Sequence, residues 1–213
     1  ILRGWVNSAN FLMGGLAWLA GIFIFTKLGV GPTMTAEWES FLSMGSGLWA
    51  VMAVTWAYNE RENAFHAWCL LGLANLLMLP LVGLSQDLTI QEIEIYLGGI
   101  IPAWTGGALI LSKLRLYDGR RLDLQGFKGW IQPNQMAGFL FLLCALGLTG
   151  FPVTTTFLGE DLLLSHISGG DYGRALLLSI TFVLNGIAVI RLYARLFLGH
   201  YTKTMQHSTP LTI

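Results

Sequence analysis

The stretch LGLTGFPVTTTFLGEDLLL, from Leu146 to Leu164, decides how this chain folds, because it interrupts an apolar segment with a helix breaker and follows it with two acids. Proline lacks the backbone N–H and clashes with the preceding turn, so Pro152 after Gly150 should unwind a helix locally. The surrounding apolar segment, Asn134 to Ile167, is too long for one straight membrane helix. The sequence therefore predicts a discontinuous helix that is broken at Gly150 and Pro152.

The two adjacent acids after the break, Glu160 and Asp161, admit two interpretations. If Thr155 or Thr156 caps the second half-helix, both acids fall in its first turns, where the helix dipole favours negative charge. An ionisable residue inside a membrane, however, costs at least about 2.5 kcal/mol and usually marks an ion or proton pathway. Adjacent residues do not share one helix face. Glu160 is therefore the first candidate for a proton pathway and Asp161 the second.

The composition indicates that the segments flanking the break lie in a lipid bilayer. Of 213 residues, 54% are hydrophobic and only 11% are charged, with a mean hydropathy of +0.61. Soluble proteins usually carry about 25% charged residues. The formal net charge is zero, so no basic surface indicates a nucleic-acid partner.

Several further segments meet the length of about 20 apolar residues that a spanning helix needs. Together with the broken segment they predict an all-α, polytopic membrane helix bundle of about six spans, a single transmembrane domain over residues 1–213. The five unbroken predicted spans are Asn10 to Leu28, Phe41 to Tyr58, Ala64 to Leu84, Ile95 to Leu114 and Ala175 to Leu198.

The distribution of lysine and arginine predicts the orientation of these spans, because cytoplasmic loops are enriched in both. Ten of the twelve fall on one face, and only Lys27 and Arg174 fall on the other. This bias places both ends of the chain in the cytoplasm. The predicted location is the inner (plasma) membrane of a bacterium, as a multi-pass protein. The ten are Arg3, Arg61, Lys113, Arg115, Arg120, Arg121, Lys128, Arg191, Arg195 and Lys203.

Three of these basic residues lie near the end of a predicted span, and each therefore has two interpretations. Lys113 either extends its side chain to the membrane surface or takes part in a proton pathway. Arg191 and Arg195 lie one turn apart on one face of the last span, where anchoring at the surface is favoured over a gating role.

Motifs of soluble catalysis are not found in the sequence. It contains no phosphate-binding loop, zinc-ligand spacing or nucleophile elbow, so no catalytic residue, cofactor or metal is predicted. Cys69 and Cys144 lie in apolar spans without a neighbouring thiol, which favours buried thiols over a disulfide. The glycine pairs at 14–15, 98–99 and 106–107 favour close helix packing.

The run LGLTGFPVTTTFLGEDLLL, followed by AVIRLYARLFLGHY, resembles the antiporter-like subunits of respiratory NADH dehydrogenase (complex I) and of Mrp-type cation/proton antiporters. The segments GALILSKLRLYDGRRLDLQGFKG and WAYNERENAFHAWCLLGL are similar to other parts of that family. The resemblance implies a fragment equivalent to the second inverted repeat and following helix, with Glu160 at the family's essential carboxylate-or-lysine position. The chain begins without Met, which also predicts a fragment or a processed chain.

The chain departs from the family pattern at three positions, where Leu16, Leu70 and Pro102 stand in place of expected polar residues. The resemblance implies a membrane subunit that moves protons, or Na⁺ or K⁺, together with other membrane subunits of a larger complex, such as an NADH:quinone oxidoreductase-type translocase. Two alternatives stay open. One is a degenerate, non-conducting scaffold subunit, and the other is the membrane subunit of an inorganic-carbon uptake complex.

Overall fold

The computed structural model describes residues 8–27, 36–84, 88–118, 122–167 and 171–201. These residues form seven α-helices, and no strand occurs among them. Arg3, Arg120, Arg121 and Lys203, and with them the predicted sidedness of both chain ends, lie outside the described residues. The helices are α1 (Ser8–Lys27), α2 (Ala36–Asn59), α3 (Ala64–Gly83), α4 (Ile90–Asp118), α5 (Gln135–Leu148), α6 (Thr155–Ser165) and α7 (Tyr172–Phe197).

Four helices are long and apolar enough to cross a membrane, which is consistent with a membrane protein. They are Glu37–Asn59, Ala64–Gly83, Ile90–Tyr117 and Tyr172–Phe197, and two shorter apolar helices cover Ala9–Ile24 and Gln135–Leu148. Helix α4 is longer than predicted at both ends. It begins early because Thr89 and Glu92 form a capping box, in which the Thr89 N–H donates to Glu92 Oε2 at 2.7 Å.

Helices α1 to α5 run antiparallel to their neighbours in the chain, whereas α6 continues in the direction of α5. Trp18 Nε1 of α1 donates to Ser46 Oγ of α2 at 3.0 Å, and Ser43 Oγ near the start of α2 donates to the Leu81 carbonyl near the end of α3. Helix α7 lies parallel to α2, since Arg174 near its start contacts Ser43 and Arg191 near its end contacts Tyr58.

One end of the bundle, called here the basic end, gathers the last turns of α2, α4 and α7 with the loops between α2 and α3 and between α4 and α5. The Ala64 N–H donates to the Leu122 carbonyl at 2.8 Å, and the Lys128 N–H donates to the Arg195 carbonyl at 2.9 Å. The described basic residues of the ten-residue set lie here, whereas Arg174 lies at the opposite end. They are Arg61, Lys113, Arg115, Lys128, Arg191 and Arg195.

Helix α4 packs along α5 and then along α6. Near the basic end a Cβ atom at Gly106 would lie 2.9 Å from the Sγ of Cys144 in α5. Toward the opposite end a Cβ atom at Gly159 of α6 would lie 2.6 Å from the Cα of Tyr96. The two short helices therefore lie one after the other beside the 29-residue α4.

The predicted role of the glycine pairs in packing is confirmed at one or both members of each pair. A Cβ atom would overlap Leu73 at Gly15, Thr156 at Gly99 and Trp68 at Gly107. Gly98, by contrast, faces open space. Which glycine of a pair makes a close contact thus depends on the helix face that meets the neighbouring helix. The composition alone does not define that face.

Gly99→Ala is expected to lower the free energy of unfolding by about 2 kcal/mol, because overpacking a close contact typically costs about 1 to 3 kcal/mol. The added methyl group would overlap the backbone nitrogen and hydroxyl of Thr156. The measurement is thermal unfolding in detergent. Gly98→Ala is the matched control and should leave stability equal or slightly higher, because alanine favours the helix and nothing opposes its side chain. Equal destabilisation by both would contradict the packing at Gly99.

Candidate functional site

The chain is not helical between α5 and α6, where Gly150 and Pro152 stand. Gly150 has a φ of 60°, a left-handed conformation that glycine adopts without steric cost. The prediction that Thr155 or Thr156 is the N-cap is wrong. Thr154 precedes the first helical residue in an extended conformation, and its hydroxyl donates to the Phe151 carbonyl at 2.8 Å instead of capping α6.

This shift of the cap moves the two acids further into α6. The first turn of the helix contains no acidic residue, and Glu160 lies in its second turn. Because the favourable effect of the helix dipole falls off within the first turn, complementing the dipole does not explain Glu160.

The carbonyl that ends α5 is paired across the bundle. Asn185 of α7 donates through its Nδ2 to the Leu148 carbonyl at 3.0 Å, and both residues are buried. The Oδ1 atom of Asn185 has no hydrogen-bond partner among the described residues. Asn185 therefore caps the C-terminal end of α5 from a different helix, because it pairs a carbonyl that has no partner within α5. This bond fixes the end of α5 beside the break.

Asn185→Ala is expected to lower the free energy of unfolding by about 2 kcal/mol, because an unpaired buried carbonyl costs about 1 to 3 kcal/mol. Thermal unfolding in detergent measures the change. Asn59→Ala is the control, because the exposed Asn59 amide bonds only a carbonyl of its own helix, that of Thr55 at 2.8 Å. A loss of stability no larger than in Asn59→Ala would show that the bond to Leu148 contributes little.

Glu160 lies inside the protein at the break, with 9% of its surface exposed. Its carboxyl group rests against Gly150, where a Cβ atom would overlap it. No hydrogen bond or ion pair of this carboxyl group occurs with any residue that the structure describes. It is also the only aspartate, glutamate, lysine or arginine in the buried part of the described chain.

Polar groups line the contact between α4 and α6 over several turns, called here the α4–α6 polar interface. Toward the opposite end of the bundle, His166 Nε2 lies 2.9 Å from Glu92 Oε1. One turn further along α4, the Tyr96 hydroxyl donates to the Asn75 carbonyl of α3 at 2.9 Å, and the Tyr96 backbone packs against Gly159, the residue before Glu160. Glu160 is thus the innermost carboxyl group of a polar interface that reaches the end of the bundle.

The same interface continues to Thr156, one turn before Glu160 on the same face of α6. Thr156 is fully buried, and its Oγ1 has no hydrogen-bond partner among the described residues. The hydroxyl faces Gly99 of α4, where α4 and α6 approach most closely.

The remaining residues that the sequence singled out lie elsewhere. Asp161 is exposed away from the break and Pro152 is exposed within it, whereas Thr155, although exposed, places its Oγ1 against Gly99 of α4 beside Thr156. Lys113 is exposed near the basic end, about 25 Å along α4 from Tyr96 at a rise of 1.5 Å per residue. The structure therefore brings Glu160, Gly150 and Thr156 together, with Thr155 at the edge, and leaves Asp161, Pro152 and Lys113 outside.

Four contributors to the site, Asn185, Tyr96, His166 and Glu92, were not predicted from the sequence. The spacing of Glu92, Tyr96 and Gly99 places them on one helix face, and Thr89 with Glu92 fits the capping-box pattern. These signals were available in the sequence, but nothing in it indicated that this face of α4 meets α6.

Among the residues that the structure describes, no group of three or more His, Cys, Asp or Glu side chains could hold a metal ion. Cys69 and Cys144 are both free thiols.

Comparison with protein-family models gives no match, and comparison with curated proteins gives none either. The resemblance to antiporter-like subunits therefore stays a prediction from the sequence. Any function has to be argued from the geometry around Glu160.

Proposed function

We propose that this chain is a membrane subunit of a proton-translocating complex, in which Glu160 takes up and releases the transported proton. The observation that carries the proposal is the position of its carboxyl group, buried at the helix break without a cationic partner among the described residues. Burying an ionisable group in this way is costly. In membrane proteins such groups usually lie on ion or proton pathways.

The break itself supports a transport role if α5 and α6 form one discontinuous span. Helix α5 has 14 residues and α6 has 11, so each alone is too short to cross a bilayer. Together they match the length of α4, beside which they lie in succession. With α1 as a further span, this gives the six-span bundle expected from the sequence. Irregular backbone at this depth has to be covered by protein, and on this proposal other subunits of the complex cover Phe151, Pro152 and Val153, which are exposed in this chain.

The α4–α6 polar interface supports a route for the proton toward one membrane face. Glu92 and His166 lie at its outer end, partly exposed, and Tyr96 lies between them and Glu160. Each group can donate or accept a proton or a hydrogen bond. On this proposal the proton passes between Glu160 and the end of the bundle opposite the basic end.

A second candidate is a scaffold subunit that has lost proton transfer. The observation in its favour is that Leu70, at a position where the family has a histidine, is fully buried in α3. No second acid or base is buried among the described residues to pass a proton from Glu160 toward the basic end. In an inorganic-carbon uptake complex, the subunit could be either the proton-translocating one or the non-conducting scaffold.

The experiment that separates these candidates is proton flux in liposomes reconstituted with the complex that copurifies with the full chain, comparing the wild type with Glu160→Gln. Flux that depends on Glu160 would support translocation. A wild-type complex without flux would support the scaffold.

A further inference from the structure

Three arginines converge at the basic end from different parts of the chain. Arg191 and Arg195 lie one turn apart on α7, and Arg61 lies in the turn between α2 and α3. The Arg191 guanidinium group donates to the carbonyl of Tyr58, three residues before Arg61. The Arg61 carbonyl accepts from the Leu124 N–H, and the carbonyl of the next residue, Gln125, accepts from Arg195 Nη1 at 3.5 Å, so the three arginines meet at one place. They are called here the arginine cluster.

Two of the three guanidinium groups are held in place by aromatic rings and backbone carbonyls. Arg191 lies over the ring of Tyr58, 4.8 Å from its centroid, and donates to the Tyr58 carbonyl. Arg195 lies over the ring of Phe127, 4.9 Å from its centroid. An arginine stacked on an aromatic ring keeps N–H groups in the plane of its guanidinium group, and these can donate hydrogen bonds to an anion.

The cluster is not neutralised by carboxylates in the described part of the chain. The ion pairs found there are Lys128–Asp123, His166–Glu92 and Arg174–Asp171, and none includes an arginine of the cluster. The neighbouring Glu60 uses its Oε1 on the backbone N–H groups of Arg61 and Glu62, at 3.1 and 2.9 Å. Mutual repulsion among the three arginines therefore favours an anion from outside the chain.

The surface next to the cluster is apolar, exposed and arranged in stripes. On α2, Leu48 and Met52 lie one turn apart and are 54% and 48% exposed. On α7, Val183 and Ile187 are 62% and 48% exposed and lead along the same side of the helix to Arg191. Because α2 and α7 lie parallel, both stripes lead toward the end of the bundle where Arg191 covers Tyr58.

We infer that the arginine cluster binds the phosphate headgroup of an anionic phospholipid, whose acyl chains lie along the exposed stripes of α2 and α7. The geometry suits an amphiphile, with stacked cations at the level of the headgroup and apolar side chains below it. Basic groups at the membrane surface attract anionic lipids by about 1 kcal/mol each, and arginine matches phosphate with paired hydrogen bonds. This inference does not depend on proton movement by Glu160.

The test compares binding of phosphatidylglycerol and phosphatidylcholine to the purified full chain by native mass spectrometry. The wild type is expected to prefer phosphatidylglycerol. Arg191→Gln and Arg195→Gln should each weaken that binding about fivefold and leave phosphatidylcholine unchanged. Arg115→Gln is the matched control, because Arg115 is an exposed arginine at the same end of the bundle outside the cluster.

Three results would overturn the inference. They are equal binding of the two lipids by the wild type, a loss in Arg115→Gln as large as in the cluster variants, and displacement of the lipid by an equal concentration of inorganic phosphate. If a variant on α7 does not fold, Arg61→Gln in the exposed turn gives the same comparison. We expect it to weaken phosphatidylglycerol binding about fivefold, and unchanged binding would contradict the site.

Discussion

Glu160→Gln is expected to reduce proton flux to that of protein-free liposomes while the chain still inserts and folds. Glutamine has nearly the shape of glutamate, but its amide does not take up and release a proton at working pH. Glu160 makes no described hydrogen bond or ion pair that the substitution would break. The substitution also removes the free-energy cost of burying an ionisable group inside the protein. The flux is measured with a pH-sensitive dye in liposomes under an imposed membrane potential.

The matched control for this experiment is Glu94→Gln, which removes an exposed carboxylate from α4 outside the polar interface. It is expected to keep the wild-type flux. Asp161→Asn tests the second acid that the sequence left open, and its exposed position predicts a much smaller loss than in Glu160→Gln. Wild-type flux in Glu160→Gln would exclude Glu160 as the proton carrier.

Gly150→Ala is expected to lower the free energy of unfolding by about 2 to 3 kcal/mol, the largest stability effect predicted for this chain. The φ of 60° costs a residue with a Cβ atom about 1 to 2 kcal/mol. The methyl group would also overlap the Glu160 carboxyl group, and because this group ends a flexible side chain that can shift, overpacking adds only about 1 kcal/mol. Thermal unfolding in detergent measures the loss.

Gly186→Ala is the control for Gly150→Ala, because Gly186 is helical and its Cβ would meet nothing within 4 Å. It should be neutral or slightly stabilising. The double variant Gly150→Ala with Glu160→Ala separates the two causes, since removing the carboxyl group relieves the overlap but not the backbone strain. If Gly150→Ala alone is as stable as Gly186→Ala, both the left-handed backbone at Gly150 and its contact with Glu160 are wrong.

The helical class and the position of the chain interruption could be predicted from composition and from one proline. Pro152 lacks the N–H that a continuing helix needs, and the left-handed Gly150 lies in the same interruption. The N-cap was predicted one or two residues too late, because three consecutive threonines fit the capping preference equally well. Choosing among them depends on the path of the backbone after the break.

The site was predicted only in part, because a sequence shows which residues share a helix face but not what that face contacts. The sequence ranked Glu160 before Asp161, and the packing of α6 buries the first and exposes the second. Asn185 was not singled out, since its role depends on the Leu148 carbonyl, 37 residues away in the chain. Lys113 was included for its charge and proved to lie exposed near the basic end.

The sequence by itself determined that the chain is apolar and helical, that its basic residues favour one face, and that one segment contains a proline and two acids. These properties are local, since they follow from side-chain chemistry and backbone geometry within a few residues. The tertiary structure decided that Glu160 faces α4, that Asn185 holds the end of α5, and that three arginines from two parts of the chain meet. Those relations depend on the register in which helices pack, and that register is set by contacts at positions such as Gly99 and Gly159.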